Sequence, residues 1–317
     1  MKKWLTLLIA LVLTLGLTAC GADSSSDRED DPKPSHHTKD GDPSQSLGDW
    51  RMTGMTDFNA DGSIIRKIKY EYDANGNEIK RTSFAPDGSM YWWNEYEYDA
   101  QGNQIKLTQF EPDGSINNWT EYEYDARGHQ LKSTSFSSSG KKGSWAENEY
   151  DAHGNQIKYT YYNADGSINY WEENEYDANG NVIKHMSYNA DGSIKERSEY
   201  EYDAQGHVIK WTNFEPYIGV DDWTEYEYDA NGNRIGERRF HTDGGLFGIA
   251  EYQFDADGNQ IGETYTYPDG SIGSLHEYEY DAHGNRIKWT VFYPDGSINN
   301  WHEYEYQYYP NAPKLED

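Results

Sequence analysis

The sequence of 317 residues predicts an all-β fold: tandem 26-residue β-hairpin repeats that form a long coiled or spiral antiparallel meander sheet. Two observations lead to this prediction. The motif Asp-Ala-x-Gly recurs nine times without a change of spacing, and runs of alternating strand-forming residues separate its copies. The aspartates are Asp73, Asp99, Asp125, Asp151, Asp177, Asp203, Asp229, Asp255 and Asp281. A fixed period of this length is typical of repeat architectures, so the fold is read from one unit.

In the unit 99–124, two segments have the alternation and composition of strands. These are residues 103–110 and 116–124. The segment PDGS at 112–115 separates them, and DARG at 125–128 leads into the next unit. Each turn contains a glycine where a positive φ is required. The unit is therefore predicted to be two strands and two turns, a β-hairpin.

The side-chain faces follow if both turns are three-residue loops closed by a glycine bulge. One face is then predicted to carry Lys106, Thr108, Phe110, Ile116, Tyr122 and Tyr124, and the other Ile105, Leu107, Trp119, Glu121 and Glu123. On this register, the recurring lysine lies opposite the tyrosine three residues before the aspartate. An ammonium over such a ring stabilises the fold by about 0.5 to 1 kcal/mol at an exposed site, which is a structural role.

About twenty strands in one meander are not expected to stay flat. Each neighbour adds a twist of roughly 20 to 25°, and open sheets rarely exceed ~10 strands without curling or splitting. We therefore expect the sheet to coil. The sequence leaves open whether it closes around a cavity or continues as an open superhelix.

The N-terminus has the pattern of an export signal. Lys2 and Lys3 precede an apolar-rich segment at residues 4–17, which is shorter than the roughly 20 residues of a membrane-spanning helix. Residues 1–19 are interpreted as a signal peptide and 20–49 as an acidic, disordered tether, because the tether is almost without large apolar side chains. The hairpin array then occupies residues 50–309, and 310–317 form a C-terminal tail.

The end of the export signal, Leu17-Thr18-Ala19-Cys20, resembles the lipobox of bacterial lipoproteins. The resemblance implies a diacylglyceryl anchor on Cys20, the only cysteine, and hence an extracytoplasmic, lipid-anchored place in the bacterial cell envelope. More than one acyl chain in the bilayer gives stable anchoring. The membrane is therefore an expected partner through lipid at Cys20.

Composition argues against several other partners. The chain has 56 acidic and 27 basic residues, a formal charge of -29, so nucleic acid and anionic lipid surfaces are not expected to bind it. Aromatic residues make up 15% of the chain, and 29 of them are tyrosines. Any core is therefore predicted to be rich in tyrosine.

The hexapeptide YDAQGN at 98–103, repeated with small changes through 285, resembles the YD repeat of bacterial RHS proteins and the related teneurin shell. The resemblance covers nearly all of 50–309. It implies hairpins wound into a spiralling sheet that can enclose a cavity, and it implies carbohydrate binding. The segment GSMYWW at 88–93 also resembles the aromatic hairpin repeats that bind choline or glucan in cell-wall proteins, which implies polymer or glycan recognition.

A column of tryptophans is the candidate ligand-binding site. It comprises Trp93, Trp119, Trp145, Trp171, Trp223 and Trp301, with Arg197, Ile249 and Leu275 at the same position in other units. A row of rings at regular spacing can stack on the sugar rings of a repeating polymer. The alternative is that these rings pack against neighbouring strands.

The sequence does not favour an enzyme. Every candidate acid recurs along the array, and Ser-His-Asp, HExxH and CxxC patterns are absent from the sequence. The DAxGN segments lack the further ligands of a calcium loop, so their aspartates are interpreted as turn formers. We expect no catalysis, cofactor or metal. The predicted function is a cell-surface binding or adhesion lipoprotein for a glycan or cell-wall polymer; the alternative is a scaffold or shell of an RHS-like system that binds a partner protein.

Overall fold

A computed structural model describes residues 49–215 and 219–310. The predicted signal peptide at 1–19, the lipidation site Cys20, the tether as far as residue 48 and the tail from 311 lie outside the described residues.

Twenty β-strands make up the described part of the chain. The first ten are β1 (Asp49–Asn59), β2 (Ile64–Tyr72), β3 (Glu78–Phe84), β4 (Met90–Tyr98), β5 (Gln104–Phe110), β6 (Ile116–Tyr124), β7 (Gln130–Ser137), β8 (Lys142–Tyr150), β9 (Gln156–Tyr162) and β10 (Ile168–Tyr176). The others are β11 (Val182–Asn189), β12 (Ile194–Tyr202), β13 (Val208–Glu215), β14 (Gly219–Tyr228), β15 (Arg234–His241), β16 (Leu246–Phe254), β17 (Gln260–Thr266), β18 (Ile272–Tyr280), β19 (Arg286–Phe292) and β20 (Ile298–Tyr309).

The strands form one closed antiparallel barrel. Each strand contacts its neighbours in chain order, and β1 also pairs with β20. The prediction of an all-β meander of hairpins is confirmed. The predicted coiled or spiral sheet is corrected to a closed barrel, which also decides the question of closure that the sequence left open. Twist accumulated over twenty strands brings β20 back to β1, and their pairing removes the two free edges that an open sheet would expose.

The turns have the predicted three-residue form. At residues 99–103, Asp99 N–H donates to the carbonyl of Asn103 at 2.9 Å, and Gly102 N–H donates to the carbonyl of Asp99 at 3.2 Å. Gly102 has φ 90°, which favours glycine over any side chain. The turns at the other end of each hairpin repeat this geometry, as in Gly114 N–H to Glu111 O at 2.9 Å.

A second bulge follows each turn and changes the register. In the β4–β5 pair, Glu97 lies opposite Lys106 and Tyr98 opposite Gln104, so Ile105 has no partner. In the β5–β6 pair, Asn117 is the extra residue. An unpaired residue shifts the alternation of all later side chains by one position. The face assignment from turn geometry alone was therefore partly wrong.

The observed faces differ from the predicted ones in the shorter strands. Lys106, Thr108 and Phe110 share a face with Trp119, Glu121 and Glu123, whereas Leu107 and Gln109 share a face with Tyr122. The prediction that the recurring lysine lies opposite a tyrosine was also wrong, because Lys106 lies opposite Glu97 and Glu121. We call the Lys106, Phe110 and Trp119 side the outer face and the Leu107 and Tyr122 side the inner face, with equivalent residues in all units.

Solvent exclusion identifies the inner face as the barrel interior. Ile68, Tyr70, Ala146, Glu237 and Ala250 are buried there. Of the six buried polar atoms without a hydrogen-bond partner in the described ranges, five lie on this face: Asn94 Oδ1, Asn213 Oδ1, Tyr265 Oη, Trp289 Nε1 and Asn300 Oδ1. On the outer face, small threonines such as Thr108 are buried between larger side chains, and the carboxylates are exposed.

Candidate functional site

The tryptophan row lies on the outer face. All six predicted tryptophans, Trp93, Trp119, Trp145, Trp171, Trp223 and Trp301, are half-buried. Each faces a buried or half-buried threonine on one neighbouring strand, as Trp93 faces Thr82. The bulges place them together with the lysines and phenylalanines of the shorter strands, which turn geometry alone had assigned to the opposite face.

Each indole stacks on an aromatic ring of the next strand. Trp93 and Phe110 have ring centroids 4.9 Å apart and an interplanar angle of 6°. The equivalent pairs are Trp119–Phe136, Trp145–Tyr162, Trp171–Tyr188, Trp223–Phe240 and Phe58–Trp301, with centroids 4.9 to 5.1 Å apart. The last pair joins β1 to β20. Aromatic pairs of this kind add roughly 0.5 to 1.5 kcal/mol beyond the area they bury.

Charged side chains complete the surroundings of five of the indoles, those of Trp93, Trp119, Trp145, Trp223 and Trp301. The ammonium of Lys80 lies 5.1 Å from the Trp93 ring centroid, and that of Lys106 lies 5.8 Å from Trp119. The indole Nε1–H of Trp93 donates to Glu95 Oε1 at 3.1 Å. The lysine thus contacts tryptophan instead of the predicted tyrosine. The packing that we weighed as the alternative role of these rings is present in the structure, and a strip of each half-buried ring remains open to solvent.

In the units without tryptophan, the residue at that position also lies opposite a side chain of the next strand. Arg197 lies 4.4 Å from the Phe214 centroid and hydrogen bonds to Glu199, so it makes both contacts of a tryptophan. Leu275 lies opposite Phe292, and Ile249 lies opposite Thr266. The aromatic partner seventeen residues later was missed from the sequence. The sequence did contain a sign of this pairing. The one unit with a threonine at the partner position, Thr266, has Ile249 in place of tryptophan.

The turn aspartates are occupied within their own loops. Asp99 Oδ1 accepts from the backbone N–H groups of Gln101 and Asn103 at 2.9 and 2.8 Å, and Oδ2 accepts from Asn103 Nδ2 at 2.8 Å. The side-chain hydrogen bond from Asn103 lowers the pKa of Asp99 most, and the two N–H groups lower it further. The turn-forming role predicted for these residues is confirmed.

The inner face carries tyrosines and a few ionisable clusters. Glu237 is 3% exposed and accepts from Arg239 Nε at 3.0 Å. Burial lowers the pKa of His276, while nearby Glu263 opposes that shift. Burial also raises the pKa of Tyr252. These groups give the interior a polar, partly desolvated lining.

Comparison with known proteins adds little to these observations. Neither a protein-family model nor a curated protein sequence matches the chain. In the described part of the chain, no helix has the length and hydropathy that a membrane crossing requires.

Three solved structures illustrate the structural likenesses. TcdB2-TccC3 without its hypervariable C-terminal region is 15% identical, with TM-score 0.32, over 76% of this chain and 16% of that chain. The Photorhabdus luminescens Tc holotoxin pore is 13% identical, with TM-score 0.30, over 76% and 19%. A porin-like protein from Bacteroides uniformis is 9% identical, with TM-score 0.35, over 81% and 98%. The chain thus spans less than a fifth of these two toxin chains.

Proposed function

We propose that this protein is a non-catalytic binding module of the bacterial cell envelope, anchored through lipid at Cys20, whose outer tryptophan row recognises a glycan or cell-wall polymer. The observation that supports this most is the row itself. Six half-buried indoles stand at one level of the outer face; each stacks on an aromatic ring, and those of Trp93, Trp119, Trp223 and Trp301 also donate to a carboxylate. A ring fixed in this way loses little freedom when a sugar packs on its open edge.

The spacing of the row suits a repeating ligand. Equivalent residues are two strands apart, roughly 9.6 Å. A polymer laid along the row meets the same side chains in the four successive units that contain Trp93, Trp119, Trp145 and Trp171. Weak contacts at each unit then combine, because the second and later contacts form at high effective concentration.

The negative charge of the outer face limits which polymers can bind the row. Exposed carboxylates such as Glu95 and Glu121 accompany every tryptophan of the row, and the chain carries a formal charge of -29. Anionic polymers are repelled by such a surface. We therefore expect the row to prefer neutral or cationic glycans.

A glycan array at physiological salt tests this proposal with the purified full chain. The array includes peptidoglycan and capsule fragments. Selective binding is expected, with loss in Trp119→Ala and Trp171→Ala. Trp211→Ala is the matched control, because Trp211 lies on the inner face opposite Tyr200 and Thr224. Equal binding by all three variants, or silence of the wild-type chain, would reject recognition through the row.

The anchor has its own test. Metabolic labelling with an alkyne fatty acid is expected to tag the chain, and Cys20→Ala is expected to abolish the label. Labelling that survives this substitution would remove Cys20 as the lipid site.

A structural shell or scaffold is the second candidate function. Barrel closure by β1 and β20 favours it, because a closed wall around a polar interior suits a container or spacer. If the protein is a shell or scaffold, we expect it to bind no glycan and to capture a partner protein. Affinity capture from envelope extracts, with mass spectrometry, distinguishes the two.

A further inference from the structure

At the seam where β1 meets β20 and β2, the outer face departs from the repeat. A groove of about 590 Å³ lies there. Its lining includes Gly54, Lys67, Lys69, Phe84, Glu305 and Tyr309. Ligand pockets typically enclose roughly 300 to 1,000 Å³, so the groove has room for a small ligand.

Three substitutions relative to the repeat create this groove. Lys67 occupies the β2 position that Trp93 occupies in β4, and Lys69 occupies the position of Glu95. Gly54 in β1 lies opposite Lys69, where the regular units have a lysine opposite a glutamate. The seam therefore lacks the indole, and it has lysines at the two β2 positions where a regular unit has tryptophan and glutamate.

The missing indole leaves an aromatic ring without its usual cover. Phe84 lies opposite Lys67 in the register. The equivalent Phe110 is covered by Trp93 at 4.9 Å. The ring of Phe84 can therefore accept the apolar face of a ligand ring in the place of the indole.

Gly54 keeps the floor of the groove open. A Cβ added there would lie 3.2 Å from Glu305 Oε2, close enough to displace that carboxylate. Most units have a lysine at this position, whereas two others have Gly236 and Gly262; a lysine here would extend from residue 54 into the space beside Lys69.

The groove holds two lysines and two glutamates, so it repels an anion less than a regular unit does. A regular unit presents one lysine and two glutamates here, such as Lys106, Glu95 and Glu97, with Lys106 Nζ 3.6 Å from Glu97 Oε1. At the seam, Lys67 and Lys69 stand with Glu71 and Glu305, and the Glu305 carboxylate lies beside Gly54. Lys69 Nζ lies 3.1 Å from Glu71 Oε1. Within the described ranges, exposed Lys67 has no carboxylate within 4 Å.

We propose that the seam groove binds an acidic sugar residue. Its pyranose ring packs on Phe84, and its carboxylate lies between the ammonium groups of Lys67 and Lys69. Charge-assisted hydrogen bonds to a carboxylate are about twice as strong as neutral ones, which gives the groove its preference for a uronic acid over a neutral sugar. This site is independent of the tryptophan row and of the polymer proposed for it.

Calorimetric titration of the full chain with D-glucuronate tests the proposal, with D-glucose and the acyclic dianion glutarate as comparison ligands. Glucuronate is expected to bind more tightly than either. Lys67→Trp and Lys69→Glu are expected to weaken its binding about tenfold or more. Both substitutions restore the residues of the regular repeat, so the barrel is expected to fold with an unchanged melting temperature.

Two control variants separate this site from the row. Lys106→Ala removes an outer lysine from a regular unit, and Trp119→Ala removes a member of the row; neither is expected to change glucuronate affinity. Failure of glucuronate to bind, or equal affinity in Lys67→Trp and wild type, would overturn the proposal. Equal affinity for glutarate would show that the groove does not recognise the sugar ring. Equal affinity for glucose would show that the lysines do not recognise the carboxylate.

Discussion

Arg197 stacks on Phe214 with its guanidinium carbon 4.4 Å from the ring centroid, and it hydrogen bonds to Glu199. In the neighbouring unit, Trp171 stacks on Tyr188 at 4.9 Å. A planar guanidinium can replace an indole because both offer a flat face and N–H donors at the edge. The position is thus defined by stacking on the next strand, together with a carboxylate two residues later.

Arg197→Ala is expected to destabilise the barrel by about 1 kcal/mol, because it removes one exposed cation–ring contact and one exposed ion pair. Arg197→Trp is expected to equal or exceed the wild type. Urea denaturation followed by circular dichroism measures both. The corresponding control is Ile249→Ala, whose partner Thr266 offers no ring. A larger loss at Ile249 than at Arg197 would contradict the importance of stacking.

The seam depends on a buried carboxylate. Asp57 has a side chain 5% exposed, accepts from His302 Nδ1 at 2.6 Å and pairs with Arg66. Burial alone would raise the pKa of Asp57, but the hydrogen bonds from His302 and Arg66 hold it below its ordinary value. Asp57→Ala is expected to cost about 2 to 4 kcal/mol, since it leaves two partners unpaired and one of them is half exposed.

Hydrogen exchange on Asp57→Ala is expected to show faster exchange in β1 and β20 than elsewhere. Asp222→Asn is the contrasting variant, because burial raises the pKa of Asp222 and its charged form is disfavoured in the folded state. That substitution is expected to keep or raise the melting temperature. Uniform exchange along the barrel in Asp57→Ala would show that the seam does not depend on this carboxylate.

Acid is expected to weaken the turns. The side chain of Asn103 and backbone N–H groups lower the pKa of Asp99. The side chain of Asn181 and backbone N–H groups lower the pKa of Asp177 in the same way. A lowered folded pKa stabilises the fold above the unfolded value near pH 4, and this stabilisation is lost as pH falls through the folded pKa. Melting temperatures from pH 6 to pH 2 should fall most below pH 4. An Asp99→Ala variant should show a smaller acid loss than the wild type, and an equal loss would count against this origin.

Alkali is expected to unfold the barrel from the inner face. Burial raises the pKa of Tyr98 and of Tyr202 to about 12. The hydroxyl of Tyr98 donates to the carbonyl of Glu78 at 2.8 Å. A folded pKa above the unfolded value near 10 stabilises the fold below pH 10, and this stabilisation is lost as pH rises toward 12. Phenolate absorbance and circular dichroism should change together in this range, and free titration of all tyrosines at pH 10 in a folded barrel would contradict it.

Low ionic strength is expected to lower the melting temperature. Outer glutamates such as Glu95 and Glu121 repeat every two strands, roughly 9.6 Å apart. That separation is close to the Debye length of about 10 Å at 0.1 M salt, so their repulsion is screened in physiological salt and grows on dilution. Melting curves that coincide at both salt concentrations would rule out this repulsion.

Local chemistry was readable from the sequence. The Asp-Ala-x-Gly turns, their three-residue loops and the two strands of each unit follow from residues that act within five positions of one another, as Asp99 and Asn103 do. The tryptophan column was also found, because its members recur at one position of the repeat. Short-range steric and hydrogen-bonding preferences are encoded in short segments, which makes such features predictable.

The unpaired Ile105 shows why the faces were not predictable. Nothing at that position identifies a bulge, since isoleucine is an ordinary strand residue. Lys106 pairs with Glu97 only when Ile105 is left out, and it pairs with Glu121 only when Asn117 is left out. One such residue moves every later side chain to the other face. The stacking of Trp93 on Phe110, and the seam groove, depend on that register.

By itself, the sequence determined the repeat, the hairpin and its turns, because each depends on contacts within one unit. Only the tertiary structure decided which side chains share a face and that β1 pairs with β20. The faces depend on how neighbouring strands align, and closure depends on twist summed over twenty strands, so neither is a property of any single unit.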